Sequence, residues 1–130
     1  RFGHSLGKQV TDSVPRASQN ASSDAEYLML TEKDPLQARE VAMKWFSALV
    51  EWNKRILSYE PSTLPIRVIQ GTADTAVDWK YNVAFIMEKF SNADIILIEN
   101  GGHQLMNEPL PMRTEIINLA VDYLNGIAKQ

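Results

Sequence analysis

The sequence predicts an α/β fold in which parallel β-strands alternate with helices, preceded by a loop and a helical segment. Two short apolar segments, at residues 66–70 and 94–99, have the length and composition of buried strands. Each is followed by a segment with the apolar spacing of a helix. The second strand contains Ile-Ile-Leu-Ile at 95–98, which is typical of parallel strands covered by helices on both faces. The order strand, helix, strand, helix therefore indicates a parallel sheet.

The two helices of this C-terminal part have clear start signals. Asp78 can cap the first helix, and Pro111 is tolerated in the first turn of the second. The apolar stripe of the first helix comprises Trp79, Val83, Ile86, Met87 and Phe90. The stripe of the second comprises Met112, Ile116, Leu119, Tyr123 and Ile127.

The N-terminal half predicts loop and helix. Residues 1–25 are polar with little periodicity, which favours a loop. One helix is predicted over residues 24–31. A second helix is predicted to begin at Asp34, which can act as its cap, with Pro35 in the first helical position, and to end before Pro61. The apolar stripe of the second helix, which we expect to pack into the protein, comprises Val41, Trp45, Leu49, Trp52 and Ile56.

Composition excludes several classes of function. The 130 residues carry a net charge of −3 and no basic run, so nucleic acid is not expected as a partner. The longest apolar run is too short to cross a membrane, so no transmembrane segment is predicted. With no cysteine and two histidines, neither a disulfide nor a metal site is expected. These features favour a cytoplasmic protein.

Two polar residues follow the two predicted strands. Asp74 comes shortly after the first strand and His103 shortly after the second, 29 residues later. Since the carboxyl ends of parallel strands share one edge of a sheet, both side chains are expected on the same rim. A carboxylate there can accept the Nδ1–H of histidine, leaving the ring free to act as a base. Asp78 is the rival acid, but helix capping explains it, and Glu108 is predicted to support the histidine loop.

These two loops resemble those of a known superfamily. Residues 71–78 (Gly-Thr-Ala-Asp-Thr-Ala-Val-Asp) are similar to the acid loop of α/β-hydrolases, and residues 101–103 (Gly-Gly-His) with Asn107 and Glu108 resemble the histidine loop. The pattern over about residues 25–130 looks like the lysophospholipase and monoacylglycerol lipase branch. The resemblance implies a catalytic triad with Asp74 as the acid and His103 as the base. It also implies hydrolysis of carboxylic esters, of lysolipid or monoacylglycerol type, without a cofactor.

A literal nucleophile motif occurs near the start of the chain. Residues 3–7 read Gly-His-Ser-Leu-Gly, which matches the Gly-x-Ser-x-Gly elbow of serine hydrolases. An elbow follows a strand and opens a helix, whereas only two residues precede this motif and a polar segment with Pro15 follows it. We therefore interpret Ser5 as a chance match.

The order of elements predicts a partial hydrolase. Residues 1–60 are interpreted as a loop and a helical cap-like segment, and residues 61–130 as the C-terminal part of the hydrolase core. The central strands, the nucleophile and the oxyanion-hole amides would then lie outside the chain, which we expect to be inactive alone. Two parallel strands leave an unpaired edge, so self-association through the first strand is also predicted.

Three alternative functions compete with ester hydrolysis by a serine enzyme. The same acid and histidine serve dehalogenases and epoxide hydrolases, in which the nucleophile is an aspartate. A non-catalytic binding or interaction module on a hydrolase scaffold is a second alternative. A nucleotide-binding domain is disfavoured because residues 71–73 (Gly-Thr-Ala) contain one glycine instead of a glycine-rich phosphate loop.

Overall fold

A computed structural model describes the backbone of residues 13–15 and all of residues 21–128. The chain forms two compact units. One contains residues 35–59 together with the first strand, and the other contains residues 21–34 and 60–128. The elements in chain order are β1 (Ser13–Pro15), α1 (Ala25–Lys33), β2 (Glu40–Ala42), α2 (Met43–Leu57), β3 (Ile66–Gly71), α3 (Trp79–Lys89), β4 (Ala93–Ile98), a 3₁₀ helix (Leu105–Asn107) and α4 (Leu110–Ile127).

The larger unit is built on a parallel pair of strands. β3 and β4 pair in register from Ile66 opposite Ala93 to Gly71 opposite Ile98, and α3 connects them. α3 packs against β4 and α4 packs against β3. The predicted parallel α/β architecture is confirmed, and each strand boundary lies within one residue of its prediction.

The helix signals of this unit act as predicted. The carboxylate of Asp78 accepts a hydrogen bond from the backbone N–H of Tyr81 at 3.1 Å, which caps α3. Asp24, predicted as the first residue of the first helix, lies just before α1 and caps it through the N–H of Tyr27. In α4 Ile116 is buried in the core, whereas Ile127, the last residue of the predicted stripe, is exposed.

The coverage of β4 differs from the prediction. Ile98 is buried, but Leu97, whose side chain points to the opposite face, is 49% exposed. The described helices therefore do not bury both faces of this strand completely. Across the sheet, Arg67 pairs with Asp94 at 2.6 Å, and its guanidinium lies 4.8 Å from the ring centroid of Tyr123. These contacts attach α4 to both strands.

Two predictions for the smaller unit are wrong. Residues 13–15, predicted as loop, form β1, which pairs antiparallel with β2 at residues 40–42. The helix predicted to begin at Asp34 begins instead at Met43. Asp34 has the opposite role, because its backbone N–H binds the carbonyl of Thr31 and ends α1. A cap signal therefore marked a helix end and not a helix start.

The stripe of α2 is not buried as predicted. Trp45 is 58% exposed and Trp52 is 47% exposed, and Val41 lies in β2 and not in the helix. Trp52 contacts Tyr59 edge to face, with ring centroids 6.2 Å apart. The interpretation of residues 1–60 as a cap-like segment stays a prediction.

Candidate functional site

Asp74 lies three residues beyond β3 and is held in place by its neighbours. Its carboxylate is buried, with 8% of the residue exposed. Oδ1 accepts the backbone N–H groups of Ala76 at 2.8 Å and Val77 at 3.3 Å. Oδ2 accepts the side-chain amide of Gln70 at 3.2 Å. These bonds orient the second oxygen for one further partner.

That partner is His103. Nδ1 of the imidazole lies 3.0 Å from Oδ2 of Asp74. A buried carboxylate accepts but does not donate, so this bond places the ring proton on Nδ1 and leaves Nε2 as an acceptor. The His103 side chain is 42% exposed, and no described residue hydrogen-bonds its Nε2. The two residues that the sequence singled out therefore form an orienting acid and an accessible imidazole.

The acidity of Asp74 follows from this setting. Burial alone would raise the pKa of Asp74, but hydrogen bonds from His103, from the Ala76 backbone and from Gln70 together lower it below its ordinary value. Asp74 is therefore ionised at neutral pH, which is the state that can stabilise an imidazolium.

Backbone contacts between the acid loop and the histidine loop fix their separation. The N–H of Ala73 donates to the carbonyl of Gly101 at 2.9 Å, and the N–H of Asn100 donates to the hydroxyl of Thr72 at 3.0 Å. A Cβ on Gly71 would lie 2.5 Å from the carbonyl carbon of Gly101, so the two backbones touch directly. The close approach requires a glycine at this strand end.

The turn in the histidine loop depends on an asparagine. Asn100 has φ 59°, in the left-handed region that asparagine tolerates. Gly101 and Gly102 have no positive φ, so neither is the left-handed residue of this turn. They serve close packing instead, since a Cβ on Gly102 would lie 2.9 Å from the carbonyl oxygen of Ala21.

Glu108, predicted as a supporting residue, is completely buried. Its carboxylate accepts the N–H of Gly102 at 2.7 Å, the N–H of Ser23 at 2.9 Å, and the hydroxyls of Ser22 and Ser23. Burial alone would raise the pKa of Glu108, but the bonds from Ser23, Gly102 and Ser22 together lower it. Sequence reasoning missed Ser22 and Ser23, which lie some 85 positions away and carry no local signal.

Acid should destabilise the fold through these two carboxylates. A carboxyl whose pKa is lower in the folded state stabilises the fold above its unfolded pKa, about 4, and that stabilisation is lost as pH falls through the folded pKa. Asp74 and Glu108 both have lowered pKa values. The free energy of unfolding should therefore fall as pH drops below about 4. Urea unfolding between pH 6 and pH 3 measures this, and Glu108→Gln should show a shallower pH dependence. Equal slopes would contradict the assignment.

The other predicted residues lie elsewhere. Asp78, the rival acid, is exposed and caps α3. Ser5 lies outside the described residues. In the part of the chain that the structure describes, no group of three or more His, Cys, Asp or Glu side chains could hold a metal ion.

The family model for serine aminopeptidase, S33 (Hydrolase_4) matches residues 2–110. The chain belongs to this α/β-hydrolase family. The matched region includes both loops and also residues 3–7. No curated protein matches the sequence.

The fold of this chain is similar to that of a solved lipase structure. The crystal structure of monoacylglycerol lipase from Paleococcus ferrophilus matches with a TM-score of 0.73 and 18% identity. The alignment covers 86% of this chain and 45% of the lipase chain, so the 130 residues span less than half the length of that enzyme. The predicted α/β-hydrolase fold class is confirmed.

No helix among the described residues is long and apolar enough to cross a membrane.

Proposed function

We propose that this α/β-hydrolase chain supplies the acid and the base of a serine-dependent ester hydrolase, with Asp74 as the acid and His103 as the base. The observation that carries the proposal is the 3.0 Å contact between Nδ1 of His103 and the buried carboxylate of Asp74. That contact leaves Nε2 free on a half-exposed ring, as a general base requires.

The chemistry follows from this arrangement. Nε2 of His103 takes the proton of a serine hydroxyl, and the serine oxygen attacks the ester carbonyl. The tetrahedral intermediate collapses when the leaving alcohol takes that proton back from Nε2. Water then repeats the cycle on the acyl-enzyme and releases the carboxylic acid. Asp74 stays ionised throughout and stabilises the imidazolium in both halves.

The substrate class in this proposal is a carboxylic ester of lysolipid or monoacylglycerol type. It is supported by the likeness of the two loops to the lysophospholipase and monoacylglycerol lipase branch. The fold likeness to a monoacylglycerol lipase agrees with it. The nucleophile in this proposal is a serine of the longer enzyme and not Ser5, whose motif is followed by a polar segment with Pro15. The chain is accordingly proposed to be a C-terminal part of the enzyme, inactive alone.

A fluorophosphonate probe tests the mechanism by intact mass and mapping of the modified residue. The 130-residue chain should remain unlabelled, whereas a longer chain that includes it should gain one adduct on a serine. That adduct should be lost in His103→Gln. Labelling of Ser5 would show that the proposed nucleophile position is wrong. Absence of labelling in every form would reject the serine mechanism and favour an aspartate nucleophile or a binding module.

Two further parts of the proposal concern the whole chain. In the described sheet β3 pairs with β4 alone, and self-association through the other edge of β3 is proposed. Sedimentation of the dilute chain would contradict this if it showed only monomer. A cytoplasmic location also stays a prediction.

A further inference from the structure

The backbone on both sides of His103 is attached to the segment at residues 21–24. On one side the N–H of Gly102 donates to Oε1 of Glu108 at 2.7 Å, and Oε2 of Glu108 accepts the N–H of Ser23 at 2.9 Å. On the other side the N–H of Gln104 donates to the carbonyl of Ala21 at 2.7 Å. The imidazole therefore projects from a short loop that is anchored immediately before and after it.

The Gln104 side chain adds a second attachment to the same region. Its Oε1 accepts the hydroxyl of Tyr27 in α1 and the side-chain amide of Asn107 at 2.9 Å. α1 and the segment before it are thus part of the support of the histidine loop, although more than 75 positions separate Tyr27 from Gln104.

The Glu108 carboxylate is the centre of these contacts. It is fully buried, and its hydrogen-bond partners in the described chain are neutral backbone and hydroxyl donors. A buried carboxylate is costly unless such donors satisfy it, so the donors and the carboxylate hold each other in one arrangement. Because the two oxygens bind different segments, the side chain sets the distance between residues 21–24 and the histidine loop.

We propose that Glu108 is a positioning residue for His103, acting through Gly102 and the serines at 22 and 23. This inference rests on the proposed function, in which His103 is the base. The carboxylate does not touch the imidazole. It fixes the backbone from which the imidazole reaches Asp74, and the 3.0 Å contact between Nδ1 of His103 and Oδ2 of Asp74 depends on that backbone.

Three variants separate positioning from general stability. Glu108→Gln keeps the shape but offers one acceptor oxygen, and its NH₂ group would face the N–H donors that the carboxylate accepts. Glu115→Gln makes the same change at an exposed position of α4 and is the matched control. Ser23→Ala removes one hydroxyl donor at an exposed residue and leaves the bond from Gly102 intact. It should fold even if Glu108→Gln does not.

The readout is the tautomer of His103, measured by long-range ¹H–¹⁵N NMR. The chain has two histidines, so a His4→Gln background leaves a single imidazole. In that background the neutral ring should carry its proton on Nδ1, and Glu115→Gln should give the same spectrum. Glu108→Gln should lose this preference and show both tautomers. Ser23→Ala should also show a smaller fraction of the Nδ1–H tautomer than the unsubstituted chain. In a form with esterase activity, Glu108→Gln should also lower kcat by about 10²-fold, with a smaller change in KM.

The outcomes distinguish this inference from the proposed function. If Glu108→Gln and Ser23→Ala fold and keep the Nδ1–H tautomer, the positioning role is wrong while the acid–base pair stands. If Glu108→Gln fails to fold, the tautomer of His103 in Ser23→Ala is the test: an unchanged Nδ1–H tautomer in that variant contradicts the positioning role. If the parent chain itself lacks the Nδ1–H tautomer, the acid–base pair fails and the positioning role fails with it.

Discussion

Asp74→Asn is expected to lower kcat for ester hydrolysis by about 10⁴-fold, with little change in KM. The asparagine keeps the acceptor oxygen that binds the N–H groups of Ala76 and Val77, so the loop should hold its shape. An amide nitrogen in place of Oδ2 can donate but not accept, so His103 would lose its Nδ1–H partner and adopt the other tautomer. Nε2 would then carry a proton and could not act as the base. Steady-state kinetics on a form of the protein that reacts with fluorophosphonate measures the effect.

Asp78→Asn is the matched control. It makes the same change four positions along the chain, at an exposed residue that caps α3 through the N–H of Tyr81. Asparagine is about as good a cap as aspartate, so stability should change by only a few tenths of a kcal/mol and kcat should stay within about twofold. A large loss of kcat in Asp78→Asn, with a small loss in Asp74→Asn, would reverse the assignment of the acid.

Gly71→Ala is expected to lower the free energy of unfolding by about 3 kcal/mol. The added Cβ would lie 2.5 Å from the carbonyl carbon of Gly101 and 2.5 Å from the carbonyl oxygen of Gly102. Both contacts are with backbone, which cannot rotate away as a side chain could. The strand end and the histidine loop would have to separate, and the His103–Asp74 contact would lengthen with them. Urea unfolding measures the loss of stability.

Gly126→Ala provides the control for Gly71→Ala. Gly126 lies in the last turn of α4, and nothing lies within 4 Å of a Cβ built there. Alanine in a helix is better than glycine by up to about 1 kcal/mol, so this variant should be as stable as the parent or slightly more stable. If both variants lost stability equally, the close approach of Gly71 to the histidine loop would not be the cause.

The relation between Asp74 and His103 could be predicted because its cause is local. Each residue follows a strand by a few positions, and the two strands are parallel neighbours joined by one helix. Parallel strands end at the same edge, so the separation along the chain translates directly into proximity. The acid loop also uses close neighbours, since Ala76 and Val77 lie two and three positions after Asp74.

The role of Asp34 shows where local pattern was insufficient. An aspartate before a proline suits a helix start, but the same residue can end the preceding helix through its backbone N–H. Residues 40–42 could continue a helical stripe, yet they pair with residues 13–15 instead. The choice between these arrangements depends on pairing with β1, and the apolar periodicity of residues 40–42 contains no information about that distant strand.

The amino-acid sequence was sufficient for the parallel α/β architecture, for the strand ends and for the residues at the rim, because strand composition, helix caps and chain order are short-range properties. The contacts that hold the histidine loop in place could be identified only in the folded chain. Glu108 contacts Ser22 and Ser23 across some 85 positions, and Gly71 touches Gly101 only because two loops pack backbone to backbone. Burial and hydrogen bonding between segments that far apart depend on the complete packing of the chain, and no local spacing encodes them.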